Sequence, residues 1–245
     1  MSDNPRGITY RSMVVALKPA MTTITRRDWS GERNLPPEGV GCVLASNHIS
    51  EVDPLVVAHF VNDAGRVPRF MAKASIFDLP FAGGLLRHLG QIPVYRESRD
   101  ASLSLEGALS AVADGGCVVV YPEATLTRDP DLWPMRGKSG AARIALETGC
   151  PVIPMAHWGA QKILPPYGRV ARLFPPAKVT VRAGAPVDLA DLKGSTTARS
   201  LRTATDRIMA AITAELESIR GETAPSERFD PSAAGLPVTG DPRKS

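Results

Sequence analysis

The sequence predicts an α/β domain, with a mixed, largely parallel central sheet flanked by helices and an amphipathic helical segment at its N-terminal end. Three observations predict it. Short apolar runs alternate with segments of helical period along most of the chain. Gly, Pro and Asp separate those runs at short intervals. Hydrophobic residues make up 43% of the 245 residues but aromatics only 5%, which provides for a sizeable aliphatic core.

Taken in order, Ile8 to Ile24 mixes Ile8, Tyr10, Met13, Val14, Val15, Leu17 and Met21 with Arg6, Arg11 and Lys18, and Arg26 and Arg27 follow. This is the pattern of a basic amphipathic helix, suited to a membrane interface or to packing on the domain itself, with Pro19 as an interruption. Val40 to Ala45 (VGCVLA) is a buried strand, and Asp53 to Asn62 a helix opened by Asp53 and Pro54. Arg69 to Met71 and Gln91 to Tyr95 are short strands. Ser102 to Ala113 is a helix stopped by Asp114-Gly115-Gly116, leading into Cys117 to Tyr121 (CVVVY), the strongest buried-strand signal. Lys138 to Thr148 is a helix closed by Gly149, and Val152 to Ala156 an apolar strand. Lys178 to Arg182 alternates like a strand with one wet face, and Leu201 to Arg220 carries an apolar stripe at helical spacing. These elements divide the chain into a membrane-contact segment at 1–30, a folded domain at 31–220 and a flexible tail at 221–245.

Composition narrows the function. Twenty-nine Lys and Arg against 25 Asp and Glu leave a net charge of +4, too little for a protein driven onto nucleic acid by charge. Three cysteines in so long a chain read as buried thiols in a reducing compartment. The longest uncharged stretch, Thr148 to Gln161, is too short and polar to span a bilayer, and the opening residues lack the apolar core of a signal peptide. Neither CxxC, HExxH, GxGxxG nor GxxxxGK[ST] occurs.

The chemistry concentrates in Asn47-His48-Ile49-Ser50-Glu51-Val52-Asp53, where a histidine follows a strand and an aspartate opens a helix five positions later. A strand-to-helix turn can fold back so that the Asp53 carboxylate holds one nitrogen of His48 and leaves the other as a general base. The plainer alternative is a helix cap beside a loop histidine. Gly90 to Arg96 (GQIPVYR), Tyr121 to Thr127 (YPEATLT) and Val152-Ile153-Pro154 follow, each at the end of a predicted strand, where open α/β folds collect their active residues. His59, His88 and His157 read as structural, and Cys42 as a strand thiol rather than a nucleophile.

These four blocks, in this order, resemble the HxxxxD glycerolipid acyltransferases, and most closely the bacterial 1-acyl-sn-glycerol-3-phosphate acyltransferases. The resemblance runs from about Val40 to Arg182 and marks 31–220 as the acyltransferase domain. It implies that His48 deprotonates an acceptor hydroxyl, which attacks an acyl thioester, while Asp53 orients and stabilises the imidazole. Arg96 and Lys73 would contact the acceptor phosphate, and Glu123, Ala124 and Thr125 would bind the glycerol-phosphate part. Two positions depart from the family's EGTR block: Ala124 stands for its glycine and Leu126 for its arginine, with Arg128 two residues on as a substitute. The implied reaction turns lysophosphatidic acid into phosphatidic acid. The altered third block leaves open glycerol 3-phosphate or a glycosylated phosphoinositide as acceptor, and a non-catalytic lipid binder is a third alternative. No cofactor is implied; acyl-CoA or acyl carrier protein would be the donor substrate.

Two further stretches bear on partners. Phe77 to Leu86 is apolar with paired glycines, fit for an acyl groove, a lipid contact or core. From Thr148 to Val187 no acidic residue occurs, while Lys162, Arg169, Arg172, Lys178 and Arg182 alternate with apolar residues. Such a surface suits an anionic membrane, coenzyme A or an acidic carrier protein. The expectation is a peripheral or monotopic enzyme on the cytoplasmic face of the cell membrane, with a lysophospholipid acceptor and no nucleic-acid partner.

Overall fold

The computed structural model describes residues 7–95 and 101–237. Seven strands form one sheet: β1 (Thr25–Ser30), β2 (Cys42–Ser46), β3 (Pro68–Lys73), β4 (Ile92–Val94), β5 (Cys117–Val120), β6 (Val152–Trp158) and β7 (Ala177–Ala183), in the order β1-β7-β6-β2-β5-β3-β4. All neighbours are parallel except β6 and β7, so the sheet is mixed and largely parallel. The helices are α1 (Ile8–Ile24), α2 (Asp53–Asp63), α3 (Ala82–His88), α4 (Ala101–Ala113), α5 (Gly140–Thr148), α6 (Ala160–Ile163) and α7 (Ala198–Arg220).

The apolar runs of the central strands are buried on both faces because helices cover both. Val43, Ala45, Val118, Val120 and Val152 pack against α4, α5 and α7 through residues such as Ala108, Ile144 and Ile208. The alternate residues Cys42, Leu44, Cys117, Val119, Ile153 and Met155 pack against Val56, Val57, Phe60 and Val61 of α2 and Ile163 of α6. The side-chain period of two thus gives each strand two cores. Cys42 and Cys117 are register partners and fully buried, as inert strand thiols should be.

Two expectations need correction. The boundary at residue 30 cuts through the fold, because β1 pairs with β7 from Thr25↔Ala177 to Ser30↔Arg182 and carries Arg26 and Arg27 into the sheet. An edge strand with mostly exposed residues has no apolar run to announce it, and its charges guard an open edge. Phe77 to Leu86, left open between groove, lipid contact and core, divides its apolar residues: Phe77 is buried, whereas Leu79, Leu85 and above all Phe81, at 96% exposure, face outward. The chain turns sharply here, and a Cβ on Gly83 would lie 1.8 Å from the Phe77 carbonyl oxygen, so only glycine fits. The second correction concerns the stretch after Gly221, expected to be loose, which is tied to the domain at Ala224, Phe229 and Asp230. Ala224 N donates to Glu217, Arg136 N to the Phe229 carbonyl, and Arg136 pairs with Asp230 at 2.7 Å.

Helix α1 serves the domain and also presents residues outward. Met21 and Tyr10 are buried, Asn62 Nδ2 donates to the Tyr10 hydroxyl at 3.0 Å, and Lys18 reaches Asp63 at 2.7 Å. Ile8 and Val15, 86% and 73% exposed, face away.

One interaction without a sequence signal ties the loops at the opposite end of the sheet from His48. Arg66, 3% exposed, donates to the carbonyls of Pro36, Pro37, Val40 and Gly115. Charge-assisted bonds of this kind are the strong ones, and their loss strands buried acceptors. Arg66→Leu is expected to lower the unfolding free energy by about 2–3 kcal/mol in urea titrations.

Candidate active site

The site forms where β2 and β5 end side by side, paired from Cys42↔Cys117 to Ala45↔Val120. His48 lies just beyond β2, and Asp53 is the first residue of α2. His48 Nδ1 lies 2.9 Å from Asp53 Oδ2, and the same oxygen accepts from Ile49 N at 2.6 Å and Ser50 N at 2.8 Å. The carboxylate is fully buried while 19% of the histidine side chain is exposed. An ionised carboxylate only accepts, so Nδ1 carries the ring proton and Nε2 is left with its lone pair. The HxxxxD spacing therefore folds into a histidine with one nitrogen held and one available, as the sequence anticipated.

The ring is also fixed from its face. Tyr121 stacks on it at 4.1 Å between centroids and 17° between planes, and Phe70 lies 6.5 Å beyond Tyr121. Phe70 in turn lines an apolar cavity of about 200 Å³ with Pro54 and Leu55 of α2, Leu86 of α3 and Val14 and Leu17 of α1. The cavity thus begins where the aromatic stack that supports His48 ends.

Glu123 has a different task from the one the family resemblance implies. It is 2% exposed, and its two oxygens accept from His48 N at 3.2 Å and Met135 N at 3.0 Å. Burial pushes its carboxyl up from the ordinary 4.5 to about 8, opposed by those backbone bonds. The carboxyl holds the main chain under His48 and is not presented to a ligand. The same loop is fastened again by Thr127 N to the His48 carbonyl at 2.7 Å and Lys138 N to the Pro122 carbonyl at 2.8 Å.

Ala124, where the family has glycine, keeps the backbone that glycine would favour, with φ +58. Thr125 beside it is half-buried. Leu126 is 6% and Arg128 8% exposed, so the arginine offered as a substitute for the family's motif arginine lies inside the domain. Lys73 is exposed at the carboxyl end of β3. Arg96 lies outside the described residues. Sequence reasoning missed Asn47, 1% exposed, whose side chain bridges to β6: Nδ2 donates to the His157 carbonyl at 3.1 Å, and His157 N donates to Oδ1 at 3.0 Å. Its place in the first motif was the available signal.

Two outcomes follow from this geometry. The Glu123 carboxyl has a higher pKa folded than unfolded, so the native state holds the extra proton between about pH 4.5 and 8. Its contribution is complete below that window and is lost as pH rises through about 8. Urea titrations across the window should show stability falling with pH, and Glu123→Gln should flatten that slope. Ala124→Gly should relieve a left-handed backbone costing about 1 kcal/mol, partly offset by the greater freedom of glycine when unfolded. A rise in Tm of about 1–2 °C is expected by calorimetry.

Known proteins resemble the chain in sequence and in fold. A sequence model of the family described as Acyltransferase matches residues 26–158. Among curated proteins, the chloroplastic 1-acyl-sn-glycerol-3-phosphate acyltransferase BAT2 of Brassica napus is 33% identical over 141 residues, 57% of this chain and 39% of that one. The chloroplastic 1-acyl-sn-glycerol-3-phosphate acyltransferase LPAT1 of Arabidopsis thaliana is 30% identical over 136 residues, 55% of this chain and 36% of that one. The chain's match therefore spans about two fifths of the length of these curated relatives. The crystal structure of the 1-acyl-sn-glycerophosphate (LPA) acyltransferase PlsC from Thermotoga maritima has the same fold, with a TM-score of 0.66 over 88% of this chain and 81% of that one at 24% identity. Since the family match runs across more than half of the sequence, from β1 to β6, and includes the His48–Asp53 pair, the chain belongs to the Acyltransferase family.

Proposed function

We propose that this protein transfers a fatty acyl group from an acyl thioester to a hydroxyl of a glycerol-phosphate lipid, turning lysophosphatidic acid into phosphatidic acid in phospholipid biosynthesis. The observation that carries the reading is the 2.9 Å contact between His48 Nδ1 and Asp53, which leaves Nε2 open as a base. The names of the curated relatives support the substrate class.

In this reading His48 Nε2 takes the proton of the acceptor hydroxyl as its oxygen attacks the thioester carbonyl. The buried Asp53 carboxylate stabilises the imidazolium. The tetrahedral intermediate collapses with cleavage of the carbon–sulfur bond, and the leaving thiolate takes the proton. The acyl donor is acyl-CoA or acyl carrier protein, and its own activation is why no covalent enzyme intermediate is invoked. The apolar cavity beyond Phe70 suits the hydrocarbon chain, since burying methylenes there is favourable by about 0.8 kcal/mol each. Lys73 supplies an ammonium for the acceptor phosphate.

No helix among the described residues is long and apolar enough to cross a membrane. Peripheral contact with an anionic leaflet is supported instead by exposed apolar residues beside basic ones. Val170, Leu173 and Phe174 are 77%, 49% and 77% exposed and alternate with the exposed Arg169 and Arg172. Each basic residue at such a surface contributes about 1 kcal/mol. A basic surface of this kind suits the anionic cytoplasmic leaflet, the side proposed for the enzyme.

A second acceptor is favoured by one observation, the third motif, where Ala124 adds a methyl and Arg128 is buried. Glycerol 3-phosphate or a glycosylated phosphoinositide would then replace lysophosphatidic acid. A panel of these acceptors with one labelled acyl-CoA, scored by mass spectrometry, tests both readings. Product from lysophosphatidic acid is expected, and negligible turnover of it beside another acceptor would move the assignment. In the same assay His48→Ala should lose about 10²- to 10⁴-fold in rate, and full retained activity would overturn the catalytic role.

A further inference from the structure

We propose that His157 is a positioning residue for this reaction, a second imidazole that holds the Asn47–His48 turn and keeps an N–H dipole near the Asp53 carboxylate oxygen that His48 contacts. The inference rests on the reading of His48 as the base.

His157 lies near the end of β6 and is fully buried. Register pairing of β2 with β6 ends at Ser46↔Met155. Beyond it the two hydrogen bonds between the Asn47 side chain and the His157 backbone replace the next rung. The ring adds a third tie, because its Nε2 is 3.2 Å from the Asn47 carbonyl oxygen and 3.7 Å from Asp53 Oδ2. Both oxygens are acceptors, so Nε2 bears the hydrogen, donated to the Asn47 carbonyl with the Asp53 carboxylate 3.7 Å away within reach of the N–H dipole. Nδ1 is buried without a hydrogen-bond partner among the described residues.

The ring is neutral. Burial lowers its pKa, with the Asp53 carboxylate opposing that and the His48 ring adding to it. A neutral donor suits the position. A second cation beside Asp53 would compete with the imidazolium that His48 must form, whereas an N–H dipole fixes the carboxylate without cancelling its charge. The groups facing the pair are Tyr121 on the His48 ring and the Glu123 carboxyl under the His48 main chain, both from the end of β5, with His157 from β6. Glu123 titrates near 8 and reaches the backbone of His48, so it acts on every variant alike.

The test compares His157→Gln, which keeps an N–H donor, with His157→Leu, which keeps bulk alone. Each is first shown to be folded by circular dichroism and then followed through the pH profile of kcat/KM with lysophosphatidic acid and acyl-CoA. His157→Leu should lose about 10- to 100-fold in kcat with little change in acceptor KM. Its acid limb should move to higher pH, because the partial positive charge of the N–H no longer opposes the imidazolium. His157→Gln should recover most of both. Equal kcat and equal acid limbs in folded His157→Leu and the native protein would overturn the proposal, as would Gln and Leu losing activity alike with the limb unmoved. Absence of His48-dependent transfer in the native protein would instead overturn the reading on which it rests.

Discussion

Everything at the site depends on one buried carboxylate. Asp53 is fully buried, and its Oδ2 takes the His48 ring and the amides of Ile49 and Ser50. An ion in such a place is costly unless donors surround it, so the turn must close to supply them. Closing the turn orients the histidine. The requirement that makes the loop rigid is therefore the same one that leaves Nε2 facing outward. Asp53 also opens α2, whose first-turn amides and dipole favour a negative charge there.

The sheet order delivers the remaining supports. Because β2 lies between β5 and β6, the main chain after it is within reach of Glu123 on one side and His157 on the other. Each flanking strand contributes one side-chain contact to the Asn47–His48 peptide region. Neither contact involves Nε2 of the His48 ring. A residue fixed through its backbone keeps its ring atoms free of those ties, so its orientation needs little reorganisation.

What was legible in the sequence follows from how local each signal is. Asp53 lies five positions after His48, so spacing alone carries their contact. The central strands Cys42–Ser46, Cys117–Val120 and Val152–Trp158 were readable because burial on both faces makes them uniformly apolar. Strand β1 was not, since an edge strand of TRRDWS keeps its charges in solvent. Motif identity marked Glu123 as important but carried no information on direction. Only the amides of His48 and Met135, brought together by the fold, hold its carboxyl inward. Arg66 gave no signal because its partners are carbonyls from separate loops, which any residue could supply. His157 looked structural for the same reason: its significance lies in a contact across strands 110 residues apart.

The left-handed Ala124 shows how far the site constrains the chain. Ala124 N donates to the Tyr121 carbonyl at 2.9 Å, closing the turn that places Tyr121 on the His48 ring and Glu123 beneath its amide. If that turn relaxed to a negative φ at Ala124, the two side chains on its N-terminal limb would lose their common alignment with His48. The hydrogen bonds from His48, Met135 and Lys138 backbone amides into this loop hold it closed. Strain of this kind persists where the surroundings over-determine the backbone. The methyl group in place of a hydrogen thus leaves the geometry of the base intact, and its effect is confined to the space beside the turn. That separation is why the third motif can differ here without any change in how Asp53 holds His48.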